Sequence, residues 1–225
     1  MNPADPIAMG FAIAGTVSSY IMAFSPMPVM CKIVFTWKDV GKYRADPFIV
    51  GIVYGLVNGV YSLYAGHFVS FLSCAIASSL YIIYLVIYIY YAKTRVYVGR
   101  RLFIAVALAV SITGIGPLVY MLVHDQTNMF VSTWLGVCAC ITIVLLFSGQ
   151  LTNIIQVIRD RDASSISVAM MCGGLFCSIM WTVYASLVMD LYFLTSNAIG
   201  IAAGLTQAFL LCKYPPNKKV IINTS

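Results

Sequence analysis

Seven apolar runs, each near the length that crosses a bilayer, leave this chain little freedom to be a soluble globule. They lie near residues 7–34, 47–66, 69–92, 102–123, 129–157, 165–188 and 191–212. A membrane-spanning helix needs about 20 mostly apolar residues. Only 9% of the chain is charged, against about 25% in a soluble domain. In hydrocarbon every backbone polar group must be satisfied inside the protein, so such runs fold as helices. The expected class is an all-α membrane protein with seven transmembrane helices.

The charges between the runs support that count. Lys32, Lys38, Lys42 and Arg44 fall at or after the end of the first run; Lys93, Arg95, Arg100 and Arg101 lie between the third and fourth. Arg159 and Arg161 follow the fifth, and Lys213, Lys218 and Lys219 follow the seventh. All 13 basic residues therefore fall on one side. Asp5, His67, His124, Asp125 and Asp190 take the other. The positive-inside rule puts the C-terminus in the cytosol and the N-terminus outside. MNPADP has an acid and no basic stretch, so no cleavable signal is expected. The sequon at 223–225 is then cytosolic and unused.

Formal charge is +6, but the basic residues form no continuous face, which argues against nucleic acid. Cysteines 31, 74, 138, 140, 172, 177 and 212 form no CxxC and have no His at metal-ligand spacing, so they read as small apolar packing residues. Gly51, Gly55 and Gly59, and again Gly200 and Gly204, recur every fourth residue, which lets helix backbones approach closely in lipid. Gly114, Gly116 and Pro117 are expected to bend the fourth span. Tyr81, Tyr84, Tyr88 and Tyr91 share a face of the third and read as packing and interfacial anchors.

The chain also repeats itself. FS at 24–25 matches FS at 147–148, VY at 60–61 matches VY at 183–184, and SCAI at 73–76 matches SNAI at 196–199, all at one offset of 123 residues. Spans one to three thus recur as spans five to seven. Three is odd, so directly joined copies would point in opposite directions; span four corrects this and makes them parallel. Such repeats place a substrate site at their interface, near the bilayer midplane. The division expected is a first three-helix bundle over 7–92, span four with its flanking loops over 93–127, a second bundle over 128–214 and a cytosolic tail over 215–225.

At that interface Asn58 and Trp181 are repeat mates, as are Cys74 and Asn197. An amide offers two donors and two acceptors, and an indole offers a flat apolar face with one N–H. Together they suit a neutral ligand with hydroxyls and a C–H face, such as a sugar. The two Asn residues equally suit hydrogen bonding between helices. The span middles hold no Asp, Glu, Lys, Arg or His, which argues against ion coupling. Pro26, Pro28 and Pro47 offer a hinge or a static kink.

These residues resemble the SWEET sugar transporters of the PQ-loop superfamily, in their eukaryotic seven-helix form, over about residues 10–214. The resemblance rests on Ser25-Pro26 with Pro47, on WTVYA with Asp190 and Asn197, on YYAKTR, and on Gln207. It implies two three-helix bundles joined by an inversion linker helix. It also implies a sugar pocket with Asn197 and Trp181, Cys74 in place of a first Asn and Asn58 in place of a small polar residue. Tyr61 and Asp190 match a pair that closes an extracellular gate. Pro26 and Pro47 match two members of a cytosolic proline hinge, in which Gly149 and Ser167 replace the other two.

The expectation is a passive sugar uniporter for mono- or disaccharides working by alternating access, with no enzyme activity, cofactor or metal. Its partners are a small-molecule sugar and the lipid bilayer; two bundles in one chain make a homo-oligomer optional. The plasma membrane is the expected site and an intracellular membrane the alternative. A PQ-loop carrier of another small metabolite, such as an amino acid, is the second reading. A seven-helix receptor is disfavoured by the repeat, the short loops and the lack of DRY-like or NPxxY-like motifs.

Overall fold

A computed structural model describes residues 5–41, 45–93, 95–122, 127–163 and 166–215. Lys42, Arg44, His124, Asp125, Lys218, Lys219 and the sequon lie outside them, and Gly116, Pro117 and Gly149 are described only as helix backbone. Among the described residues all regular structure is helical: α1 Pro6–Phe24, α2 Met27–Lys32, a π turn Ile33–Trp37, α3 Asp46–Tyr64, α4 Phe68–Tyr91, α5 Arg95–Leu122, α6 Thr127–Asp160, α7 Val168–Val188 and α8 Leu191–Lys213. Seven are long and apolar enough to cross a membrane when Pro6–Trp37 is taken as one span.

The sequence explains where the helices start and stop. Asp5 caps α1 by accepting from the Ile7 N–H, and Pro6 stands where its missing N–H costs nothing. The first span then breaks at Ser25–Pro26. Neither Pro26 nor Pro28 can donate a helix bond. Ser167 caps α7 and Asp190 caps α8. Helix α5 begins at Arg95 and is assigned without interruption through Gly114 to Leu122, earlier than the apolar run implies. Arg101 lies inside it, stacks over Tyr97 and pairs with Asp46. Its apolar stem covers protein while its head reaches the polar end.

Packing follows the repeat. Helix α3 lies on α4, as α7 lies on α8; α1 lies on α4, as α6 lies on α8. Between the halves α1 packs on α7, and α3 packs on α6. The last two contacts are images of one another only if the operation that carries α1 to α6 also returns α7 to α3. The halves are therefore related by a two-fold, and parallel copies put its axis along the membrane normal. Helix α5 rests on α3 and α6.

The glycine stripes make the contacts inside each half. A Cβ on Gly55 would stand 1.6 Å from Ser78 Oγ, and one on Gly200 would stand 2.4 Å from Ser178 Oγ. The Tyr face of α4 packs as read: Tyr84 and Tyr88 are buried among Met30, Ile33, Phe48 and Val98. At the basic end, Lys93 pairs with Asp39 at 3.6 Å and the Ala163 N–H donates to the Tyr214 carbonyl at 3.0 Å. His67 and Asp190 meet at the other end.

Candidate functional site

Among the polar bridges that cross between the halves, two beside the midpoint of the spans are images of each other. On one side Asn58 Nδ2 on α3 donates to Thr142 Oγ1 on α6 at 2.9 Å. Thr142 passes its own proton to the Ala139 carbonyl one turn back. On the other, Trp181 Nε1 on α7 donates to Ser19 Oγ on α1 at 3.2 Å, and Ser19 donates to the Gly15 carbonyl. Adding 123 turns Asn58 into Trp181 and Ser19 into Thr142. Gly15 is required here by close approach: a Cβ would sit 2.8 Å from the Trp181 indole.

Beside the Trp181 bridge lies a cavity of about 40 Å³, walled by Trp181, Cys74, Ser19, Ser73, Tyr54 and Phe193 among others. At roughly 10–15 Å³ per water it has room for about three waters. Its wall is mixed: three rings and the Cys74 thiol face the hydroxyls of Ser19, Ser70 and Ser73. Asn58 and Asn197 do not line it. Asn197 is buried and its amide donates to the Phe193 carbonyl on its own helix at 2.8 Å. Asn58 Oδ1 is buried with no hydrogen-bond partner, an orphan acceptor that costs about 1–3 kcal/mol. The structure thus brings Trp181 and Cys74 to one cavity and holds Asn58 and Asn197 behind its wall.

Beyond Phe193, towards the end opposite the basic loops, four polar side chains close the axis. Tyr61 Oη shares its proton between the two Asp190 oxygens, 2.7 Å from each. His67 Nε2 lies 2.9 Å from Asp190 Oδ2, and Tyr184 Oη lies 3.0 Å from His67 Nδ1. The ring of His67 stacks on Phe193 with centroids 6.2 Å apart. Tyr61 and Tyr184 are repeat mates, and so are His67 and Asp190. Burial pushes the Asp190 carboxyl up, but hydrogen bonds from His67, the Phe193 N–H and Tyr61 outweigh it and hold the group below its usual range.

Three of the four hinge residues read from the sequence fall at helix ends on the basic side. Pro26 heads α2 at the break, Pro47 stands in the first turn of α3, and Ser167 accepts from the Met170 N–H at 3.4 Å. Gly149 lies within α6. Four participants were not singled out in the sequence: Ser19, Thr142, His67 and Tyr184. The offset of 123 points to His67 and Tyr184 once Asp190 and Tyr61 are chosen; Ser19 and Thr142 are images of each other and emerge only as the hydrogen-bond partners of Trp181 and Asn58.

Seven membrane helices, an internal two-fold and a small cavity between the halves define an integral membrane protein of the repeat-built, linker-helix type. Residues 133–219 match the family model described as "Sugar efflux transporter for intercellular exchange". The chain is 26% identical over 208 residues to the sugar transporter SWEET1 of Drosophila pseudoobscura pseudoobscura, covering 89% of this chain and 87% of that one. It is 26% identical over 207 residues to the bidirectional sugar transporter SWEET4 of Arabidopsis thaliana, covering 90% and 80%. A solved eukaryotic SWEET transporter shares the fold with a TM-score of 0.81 at 19% identity, over 93% of this chain and 97% of that one. The resemblance to the SWEET family is borne out.

Proposed function

We propose that this chain is a passive sugar uniporter, not an enzyme, and that it moves a mono- or disaccharide through the cavity between its halves. The observation that carries this is the cavity on the repeat interface, walled by the Trp181 ring and the Cys74 thiol, in a chain whose relatives are named sugar transporters. An indole face receives the C–H face of a sugar ring, and the flanking hydroxyls exchange hydrogen bonds with its own. The orphaned Asn58 Oδ1 supplies a ready acceptor once the wall moves.

A cavity with room for about three waters is too small for a sugar, so binding requires the halves to part. Residues 7–92 and 128–214 act as two bundles linked by 93–127, with 215–225 as a tail. In alternating access the α1–α7 and α3–α6 interfaces open first at one end and then at the other. The Tyr61–Asp190 contact is the closed outer gate in this reading. The break at Pro26, with Pro47, Gly149 and Ser167, serves as the cytosolic hinge. Sugar shifts the balance of states only through its different affinity for each. The charge distribution supports an outside N-terminus and a cytosolic C-terminus; the plasma membrane is the site we infer, with an intracellular membrane as the alternative.

The test is counterflow of radiolabelled glucose and a panel of other sugars into proteoliposomes, with and without proton and sodium gradients. Gradient-independent counterflow that is abolished by Trp181→Ala and by Asn197→Ala, with both variants still inserted, is expected. Normal counterflow in both variants would remove the pocket from this account, and failure with every sugar would remove the substrate class.

A further inference from the structure

His67 sits where a proton can act on the closed face. It heads α4, is 5% exposed, and joins Asp190 to Tyr184 through its two ring nitrogens. Its surroundings can be named element by element. From α3 come Tyr61, bound to Asp190, and the Ser62 carbonyl that accepts the His67 N–H. Within α4 the Phe71 N–H donates to the His67 carbonyl, and Ser70 is bound to Ser62. From α7 comes Tyr184; from α8 come Asp190 and Phe193. Asp5, at the start of α1, is bound to the Ile7 N–H. On α6, Cys140 donates to the Tyr192 carbonyl. No Lys or Arg among the described residues reaches this group.

The charge count is therefore simple. With neutral imidazole the closed face buries one carboxylate and no cation. With a proton on the ring it buries an ion pair of zero net charge. A buried carboxylate facing a cation is far cheaper than one facing only dipoles. The bonding survives the change. In the neutral ring Nε2–H donates to Asp190 and Nδ1 accepts from the Tyr184 hydroxyl. In the charged ring Nδ1–H donates and the same hydroxyl accepts. Opening the face separates Asp190 from His67 and hands both to water, where the pair contributes little.

We propose that His67 is a positioning residue whose protonation holds the outer face closed, so that opening of this carrier is slowed by acid on that side. Imidazole is the side chain whose unperturbed charge change lies between about pH 5 and 8. The reading rests on the assignment of this face as the outer gate and does not depend on which solute passes.

The experiment uses the full chain in proteoliposomes and a membrane-impermeant methanethiosulfonate added outside. Modification of Cys74, on the cavity wall, is read by mass spectrometry of its peptide. Thiol reactivity itself changes with pH, so each wild-type rate is divided by that of His67→Gln, whose amide can still donate to Asp190 but does not titrate. The ratio is expected to fall roughly tenfold between about pH 8 and 5, within the range of ordinary coupling energies. His67→Lys, a fixed cation, should give the slow rate at both ends. A ratio that stays constant overturns the proposal, as does a Lys variant that still follows pH. Labelling reads the gate directly, so failure of sugar counterflow leaves this result standing.

Discussion

His67 and Asp190 are 123 residues apart in the chain and 2.9 Å apart in space. They are the same position in the two halves. A residue can touch its own image only beside the axis that generates it, so this pair marks the two-fold. The flanking contacts obey it too: Tyr61 meets Asp190, and its image Tyr184 meets His67. Phe193 connects this group to the cavity, since it stacks on His67 and also forms part of the cavity wall. Closure of the axis and the shape of the cavity therefore share one side chain.

Asp190 should register only in strong acid. Its carboxyl lies lower in the folded chain than in the unfolded one. The stability it adds is then complete above the unfolded value, about 3.9, and is lost as pH falls through the lower folded value. Asp190→Asn in the otherwise wild-type chain should lower the melting temperature at neutral pH, with the gap closing below about pH 4. A gap that already closes in mild acid would contradict the assignment.

The two cross-half bridges should be energetic equals. A double-mutant cycle of Asn58→Leu with Thr142→Val should return a coupling of about 0.6 kcal/mol, with about 1.7 as the ceiling for membrane helices. A cycle of Trp181→Phe with Ser19→Ala should fall in the same range. Unfolding in detergent–denaturant mixtures measures both, and zero coupling in either cycle would mean that the bridge is geometric only.

Gly55 and Gly10 should respond oppositely to alanine. A Cβ at Gly55 would fall 1.6 Å from Ser78 Oγ and 3.1 Å from the Cys74 carbonyl, whereas one at Gly10 meets nothing within 4 Å. Gly55→Ala should cost about 1–3 kcal/mol as an overpacked contact. Gly10→Ala should be neutral or gain up to about 1 kcal/mol by relieving a helix of glycine. Thermal unfolding of the two variants decides it.

Cys74→Asn should change which sugar is preferred. The thiol is buried on the cavity wall and is a weak hydrogen-bond partner, whereas an amide offers two donors and two acceptor lone pairs. Competition by a panel of sugars against labelled glucose should reorder, by roughly tenfold for a sugar that gains one good hydrogen bond of about 1.4 kcal/mol. An unchanged order would place Cys74 outside the contact surface.

Most of the architecture could be read from the letters because lipid imposes it. Apolar length gave seven crossings, the basic loops grouped their ends, and the shared offset paired the halves. What escaped was chemistry carried by unlike letters. Ser19 and Thr142 do one job with two different hydroxyls, and His67 and Asp190 hold one position with opposite charge types, so a search for matching letters passes over them. Helix ends escaped for another reason. Arg100 and Arg101 read as loop, yet α5 already includes them, because a helix does not stop where the hydrocarbon does. The π turn at Ile33–Trp37 has no sequence mark distinct from the apolar run around it.

The axis pair also says something about having both halves in one polypeptide. Two identical half-length chains assembled around the same axis would set each residue there against itself: imidazole on imidazole, or carboxylate on carboxylate. Neither makes the contact seen here, and two carboxylates at that distance repel. With both halves in one chain the two positions can hold different side chains, and here a base faces an acid. The bond between His67 and Asp190 is closed to two identical half-length chains, and it is the point where the two-fold is kept by the backbone and broken by the side chains.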